Sequence, residues 1–182
     1  MIITITGPRS VGKSTISKLV AKTLRLKYVS SDEIGEKAFE KYGGLDKAIK
    51  LGVVENIIKK GGYNLILNQF KEDNFVFDLS GGSINSKKME KASKQVRKIA
   101  KEKSIIFGLL PYENNSKSIK LLFSREQKRI HFKEKDKKEL LKRTKKDYPK
   151  FLPIFKKFCD YIVFTKDKSP KKISNEIVRL LK

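Results

Sequence analysis

The chain has 182 residues, with 43 Lys+Arg against 20 Asp+Glu for a formal net charge of +23, and one cysteine. This length corresponds to a single domain over 1–182 with enough chain for one hydrophobic core. The lone Cys159 excludes a disulfide framework and suits a reducing compartment. No apolar run reaches the roughly 20 residues of a membrane span, and a strand that runs straight into the next motif leads to the expectation of no signal peptide. The expectation is a cytoplasmic, monomeric protein without a membrane partner.

Met1–Thr6 is a short β-branched run that reads as a strand at about 2–6. It leads into Gly7-Pro8-Arg9-Ser10-Val11-Gly12-Lys13-Ser14, a complete G-x-x-x-x-G-K-S loop, and then into a helix over about 13–24 with apolar residues at helical spacing. In that strand–loop–helix setting the backbone N–H groups point at nucleotide phosphates. Lys13 reaches them as a point charge, and the Ser14 hydroxyl is placed to ligate Mg²⁺. Gly7, Ser10, Val11, Gly12, Lys13, Ser14 and Thr15 are therefore the expected residues around a nucleoside triphosphate.

Lys27–Ser30 reads as a second strand, and about 32–41 as a helix capped by Ser31 or Asp32. Gly43-Gly44 breaks this helix, Leu45–Lys59 reads as another, and Tyr63–Lys71 as a third or as part strand; the segment over about 32–71 is the expected acceptor-binding region. Asn74–Asp78 is a strand apolar on both faces and ending in an acid, followed by a turn at Ser80-Gly81-Gly82-Ser83 and a helix over about 86–101. Ser104–Leu110 is a central strand, 116–124 a helix, and Arg125–Phe132 a polar loop. Helices follow at 137–146 and 154–159, then a strand at Tyr161–Phe164 and a closing helix at 169–181 with Pro170 in its first turn.

Strands alternating with helices imply a three-layer α/β/α fold with a five-stranded parallel sheet. Ligands on such sheets bind at the carboxyl ends of the strands, which gathers Gly7–Ser14, Ser30–Asp32, Asp78–Gly82 and Thr165–Ser169 at one edge. Asp78 closes a hydrophobic strand, where a carboxylate can hold a water of the Mg²⁺ shell; the other reading is a turn aspartate. Asp32 can orient or deprotonate an acceptor hydroxyl, or simply cap its helix. Gly81 and Gly82 allow close approach of substrate to backbone. Arg125 and Arg129 stand in a charged segment suited to a lid at about 125–132 that closes over phosphates, or they are plain surface arginines. The single histidine, His131, has no partner set for nucleophilic or metal chemistry.

Taken together these residues resemble the shikimate kinase family of small-molecule P-loop kinases over nearly the whole chain. The resemblance implies ATP and Mg²⁺ as cofactors and Asp32 as the acid at the acceptor hydroxyl. It also implies Arg125 as the adenine-stacking arginine, Arg129 as the lid arginine that joins Lys13 in stabilising transferred charge, and Thr165–Ser169, with Lys166 and Lys168, as the adenine loop. Ser80-Gly81-Gly82-Ser83 is similar to the family's triple-glycine substrate loop. Three departures accompany it. Ser30 stands where the family has a metal-holding acid, a role left to Asp78. Phe151 stands where a carboxylate-binding arginine belongs, and Lys59 or Asn64 falls near the position of the other. A carboxylate calls for a bidentate clamp, so the acceptor site reads as rewritten, with Phe151 available to stack on a base.

The leading expectation is an ATP- and Mg-dependent kinase of a small-molecule hydroxyl, shikimate or another acceptor. A nucleoside or nucleotide kinase is the variant within that class. The +23 charge supports either solvated lysine faces or a nucleic-acid surface. The second of these would make the protein an RNA- or ribosome-associated factor using ATP as a switch. A third reading is a degenerate kinase that binds ATP without turnover, suggested by Ser30 and Phe151.

Overall fold

The computed structural model describes residues 1–44, 47–48, 51–57, 61, 63–87, 89–128 and 137–182. Its strands are β1 (Ile2–Gly7), β2 (Lys27–Ser30), β3 (Phe75–Ser80), β4 (Ile105–Leu110) and β5 (Tyr161–Phe164). The helices are α1 (Lys13–Leu24), α2 (Ser31–Ala38), α3 (Val54–Ile57), α4 (Asn64–Gln69) and α5 (Gly81–Asn85), then α6 (Glu90–Lys103), α7 (Asn115–Gln127), α8 (Lys137–Asp147), α9 (Phe151–Phe158) and α10 (Pro170–Leu180).

All strand pairs are parallel, in the order β2-β3-β1-β4-β5. A parallel sheet covered on both faces needs strands apolar on both sides. Accordingly Ile2–Gly7 is buried at every position, and Phe75, Val76, Phe77, Ile106, Phe107 and Leu109 are at most 1% exposed. The chain steps leftward once, from β1 through α1 to β2, and rightward at every later crossover. With right-handed connections this puts α1 on one face and the rightward helices on the other. α10 closes against α1. Connections leave β1 and its neighbour β3 toward opposite faces, and the crevice forms at their carboxyl ends.

Several expected elements change their limits. Ser30, and not Ser31 or Asp32, caps α2: its Oγ accepts the Glu33 N–H at 3.3 Å. The helix expected at Leu45–Lys59 is described as helical at Lys47-Ala48 and Val54–Ile57, which are interrupted by a turn at Leu51-Gly52 where Gly52 has φ 70; the remainder falls partly outside the described residues. Ser80–Ser83 is not a turn. Ser80 caps the short helix α5 through the Ser83 N–H at 3.3 Å, so the helix expected at 86–101 begins later, at Glu90. α7 extends to Gln127, which places Arg125 on a helix where a loop was expected. Arg129, His131 and the rest of the expected lid through Phe132 lie outside the described residues, as does Lys59.

Candidate active site

The phosphate loop is shaped by backbone that few residues tolerate. Ser10 has φ 63 and Gly12 φ 104, and α1 starts immediately after at Lys13. Gly7 is required by packing, since a Cβ there would lie 2.7 Å from the Leu109 carbonyl and 2.9 Å from Val11 Cγ1. The loop is also held from outside. Ser10 Oγ donates to Glu126 Oε1 at 2.5 Å, Arg9 Nε lies 3.5 Å from the same oxygen, and Arg125 reaches the Ser10 and Val11 carbonyls at 3.4 and 3.5 Å. Glu126 is 4% exposed. Sequence reading passed over it because a glutamate in a charged helix carries no signal of a partner so far away in the chain.

Asp78, expected to end its strand, lies two residues before the end of β3; it is 3% exposed and in register with Ser30 of β2. Tyr28, two residues before Ser30 and on the same strand face, donates its hydroxyl to Asp78 Oδ2 at 3.1 Å. Asp78 Oδ1 has no hydrogen-bond partner among the described residues, and Lys13 Nζ stands 3.9 Å from it. Burial and then the Asp78 charge push the Tyr28 hydroxyl up to about 12, while the Ser30 and Ser14 hydroxyls pull weakly the other way. Ser14 and Thr15 are exposed at the start of α1. A buried carboxylate oxygen without a donor is costly. Beside a phosphate-loop lysine and serine, it suits a Mg²⁺ ion or a water of its shell.

On the acceptor side, Asp32 is exposed in the first turn of α2 and does not cap it, which removes its competing structural role. Ser31 Oγ accepts the Ser80 N–H at 2.8 Å, tying α2 to the end of β3. Gly81 is a glycine for internal reasons: a Cβ would meet the Gly7 carbonyl at 2.6 Å and the Phe151 ring at 2.8 Å. Gly82 is exposed, and a Cβ there would meet only Ser80 Oγ, at 3.9 Å. Phe151 is 7% exposed and packs edge-on against Phe155, with Tyr148 also at its side. It forms apolar floor beneath Gly81 and offers no open face for stacking.

A cleft of about 270 Å³ opens beside the phosphate loop, lined by Ser10, Val11, Gly12 and Thr15 together with Arg125, Thr165 and Lys168. The loop residues, Arg125 and the 165–168 segment, which are distant in sequence, thus meet at one place. Lys168 also pairs with Glu176 at 2.6 Å. Lys166 turns elsewhere, over the Tyr112 ring and toward Asp167. Among the described residues no group of three or more His, Cys, Asp or Glu could hold a metal, and no helix is long and apolar enough to cross a membrane.

Comparison with known proteins agrees with this arrangement. Residues 9–182 match the family described as shikimate kinase. The shikimate kinase of Vibrio parahaemolyticus is 26% identical over 180 residues, covering 98% of this chain and 95% of that enzyme. The shikimate kinase of Bacteroides thetaiotaomicron superposes with a TM-score of 0.72 at 17% identity, over 99% of this chain and 96% of the other. That of Acinetobacter baumannii, solved in complex with shikimate, gives 0.69 at 16% identity over 99% and 92%. At such identities the two structures establish the fold, whereas the match over 9–182 establishes kinship. The chain belongs to the shikimate kinase family and is a phosphotransferase that acts on a hydroxyl acceptor.

Proposed function

We propose that the protein transfers the γ-phosphoryl of ATP, with Mg²⁺, to a hydroxyl of a small molecule held between Asp32 and Gly82. The observation that supports this most is the convergence at the carboxyl ends of β1, β2 and β3: Lys13, Ser14 and the orphaned Oδ1 of Asp78 on one side, with exposed Asp32 and Gly82 on the other. The cleft lined by Arg125, Thr165 and Lys168 takes the nucleotide base. In this reading the phosphate-loop N–H groups and Lys13 bind the phosphates and stabilise charge on the transferred group. Ser14 and Asp78 hold the metal, which when bound neutralises phosphate charge. Asp32 accepts the acceptor's proton or orients its hydroxyl. Arg129 completes the charge stabilisation from the lid segment, and Lys166 serves the nucleotide less directly than Lys168. Phe151 supports Gly81 from below and is not itself a contact surface.

Shikimate is the first acceptor to test, because the Acinetobacter baumannii relative was solved in complex with it. No observation favours the nucleotide-acceptor variant or an RNA-directed ATP switch over this reading. The deciding experiment incubates the protein with labelled ATP, Mg²⁺ and a panel containing shikimate, other polyols and nucleosides. Acceptor-dependent phosphorylation is expected, and hydrolysis alone across the panel would overturn the reading.

A further inference from the structure

Asp78 owes its usefulness to the direction of one oxygen. A carboxylate rotates broadly about its terminal torsion, and a buried one beside a lysine would settle into a direct ion pair. In this structure the ion pair is a long one without a hydrogen bond: Lys13 Nζ stands 3.9 Å from Oδ1. The other oxygen, Oδ2, is engaged by the Tyr28 hydroxyl at 3.1 Å.

Register explains why Tyr28 can reach. Ser30 pairs with Asp78 across β2 and β3, and Tyr28 stands two residues earlier, as a diagonal neighbour of Asp78 on the same sheet face. Its ring is held in turn by α1. Lys18 Nζ lies 5.2 Å from the ring centroid, one helical turn beyond Ser14 and on the same side of the helix. The helix that starts with Lys13 and Ser14 therefore also fixes the tyrosine that orients the acid opposite them.

We propose that Tyr28 is a positioning residue for the metal site: by donating to Asp78 Oδ2 it holds Oδ1 toward the space between Lys13 and Ser14. This deepens the proposed function and rests on the reading of Asp78 as a metal-site carboxylate. Residues that orient a ligating carboxylate typically change metal affinity by about 10- to 100-fold when removed.

The test measures ADP binding by calorimetry, with Mg²⁺ in excess and with chelator, for the wild type, Tyr28→Phe and Asp78→Asn. Phenylalanine keeps the ring and its contact with Lys18 and removes the hydroxyl, with its bond to Asp78 and its contacts with the Ser30 and Ser14 hydroxyls. Tyr28→Phe should reduce the gain in ADP affinity due to Mg²⁺ by about 10-fold, leaving metal-free ADP affinity unchanged. If Asp78→Asn loses the Mg²⁺ gain and Tyr28→Phe retains it, the tyrosine only packs and the proposal is overturned while the Asp78 reading stands. Equal loss of ADP affinity with and without Mg²⁺ in Tyr28→Phe also overturns it, assigning the tyrosine to loop shape. Should Asp78→Asn keep the full Mg²⁺ gain, the metal reading of Asp78 fails and the role of Tyr28 falls with it.

Discussion

Lys13 is 12% exposed, sits at the first position of α1, and has no hydrogen bond to Asp78 across their 3.9 Å separation. In the proposed function its charge, only loosely paired with Asp78, acts on phosphate in a partly desolvated place, where electrostatic stabilisation is strong. Lys13→Ala is expected to lower kcat by about 10²- to 10³-fold with little change in thermal midpoint, measured by steady-state kinetics beside a melting curve. Other residues at this scale were invisible from sequence. Glu126 and Ser10 are 116 positions apart yet share a 2.5 Å hydrogen bond. Phe151, read as a base-stacking candidate, is buried and, with the Gly7 carbonyl, keeps Gly81 from carrying a Cβ. An aromatic residue in a basic segment looks alike whether it faces solvent or core, so only packing separates the two.

Two serines join elements at the acceptor side. Ser31 belongs to α2 but hydrogen-bonds the first backbone N–H beyond Leu79, at Ser80, and Ser80 caps α5 in turn. Removing the Ser31 hydroxyl leaves a part-buried backbone donor without its partner. Ser31→Ala should therefore destabilise by about 1–3 kcal/mol, read by urea unfolding. Because α2 carries Asp32, the same variant should raise the acceptor KM more than the ATP KM. The strands were legible because each is a short apolar run with local stops, and Lys27–Ser30 and Tyr161–Phe164 match expectation at both ends. Ser80–Ser83 was less legible. Gly-Gly flanked by serines has the composition of a turn, and the cap that makes it helical depends on where β3 delivers Ser80.

For the whole molecule, a net charge of +23 on 182 residues means self-repulsion in the folded state. Raising ionic strength from about 0.01 M to about 0.15 M, which shortens the Debye length from about 30 to about 8 Å, should raise the thermal midpoint by scanning calorimetry. Alkaline pH acts oppositely. Burial first of all raises the hydroxyls of Tyr28, Tyr63 and Tyr148 above the ordinary 10.0, and the thiol of Cys159 above 9.0. The native state therefore keeps protons that the unfolded chain releases. This stability is full below about pH 9 and is lost as pH rises toward about 12. At high salt, which screens the lysine self-repulsion that alkaline pH would otherwise relieve, urea midpoints should fall between pH 8.5 and 11; an unchanged midpoint there would contradict the buried placement of these groups.

The sequence by itself determined the phosphate loop and its place before a helix that starts at Lys13, and the parallel α/β architecture. These depend on signals spanning a few residues: two glycines, a lysine-serine pair, an apolar strand before and a helical period after. Tertiary structure decided the direction of Asp78, the part played by Tyr28, the buried grip of Glu126 on Ser10 and the place of Phe151 beneath Gly81. The Tyr28–Asp78 bond depends on the register Ser30↔Asp78, and the other contacts on a strand order that brings distant segments together. Order and register arise from burying the whole apolar surface at once, a collective condition that no local stretch of sequence encodes.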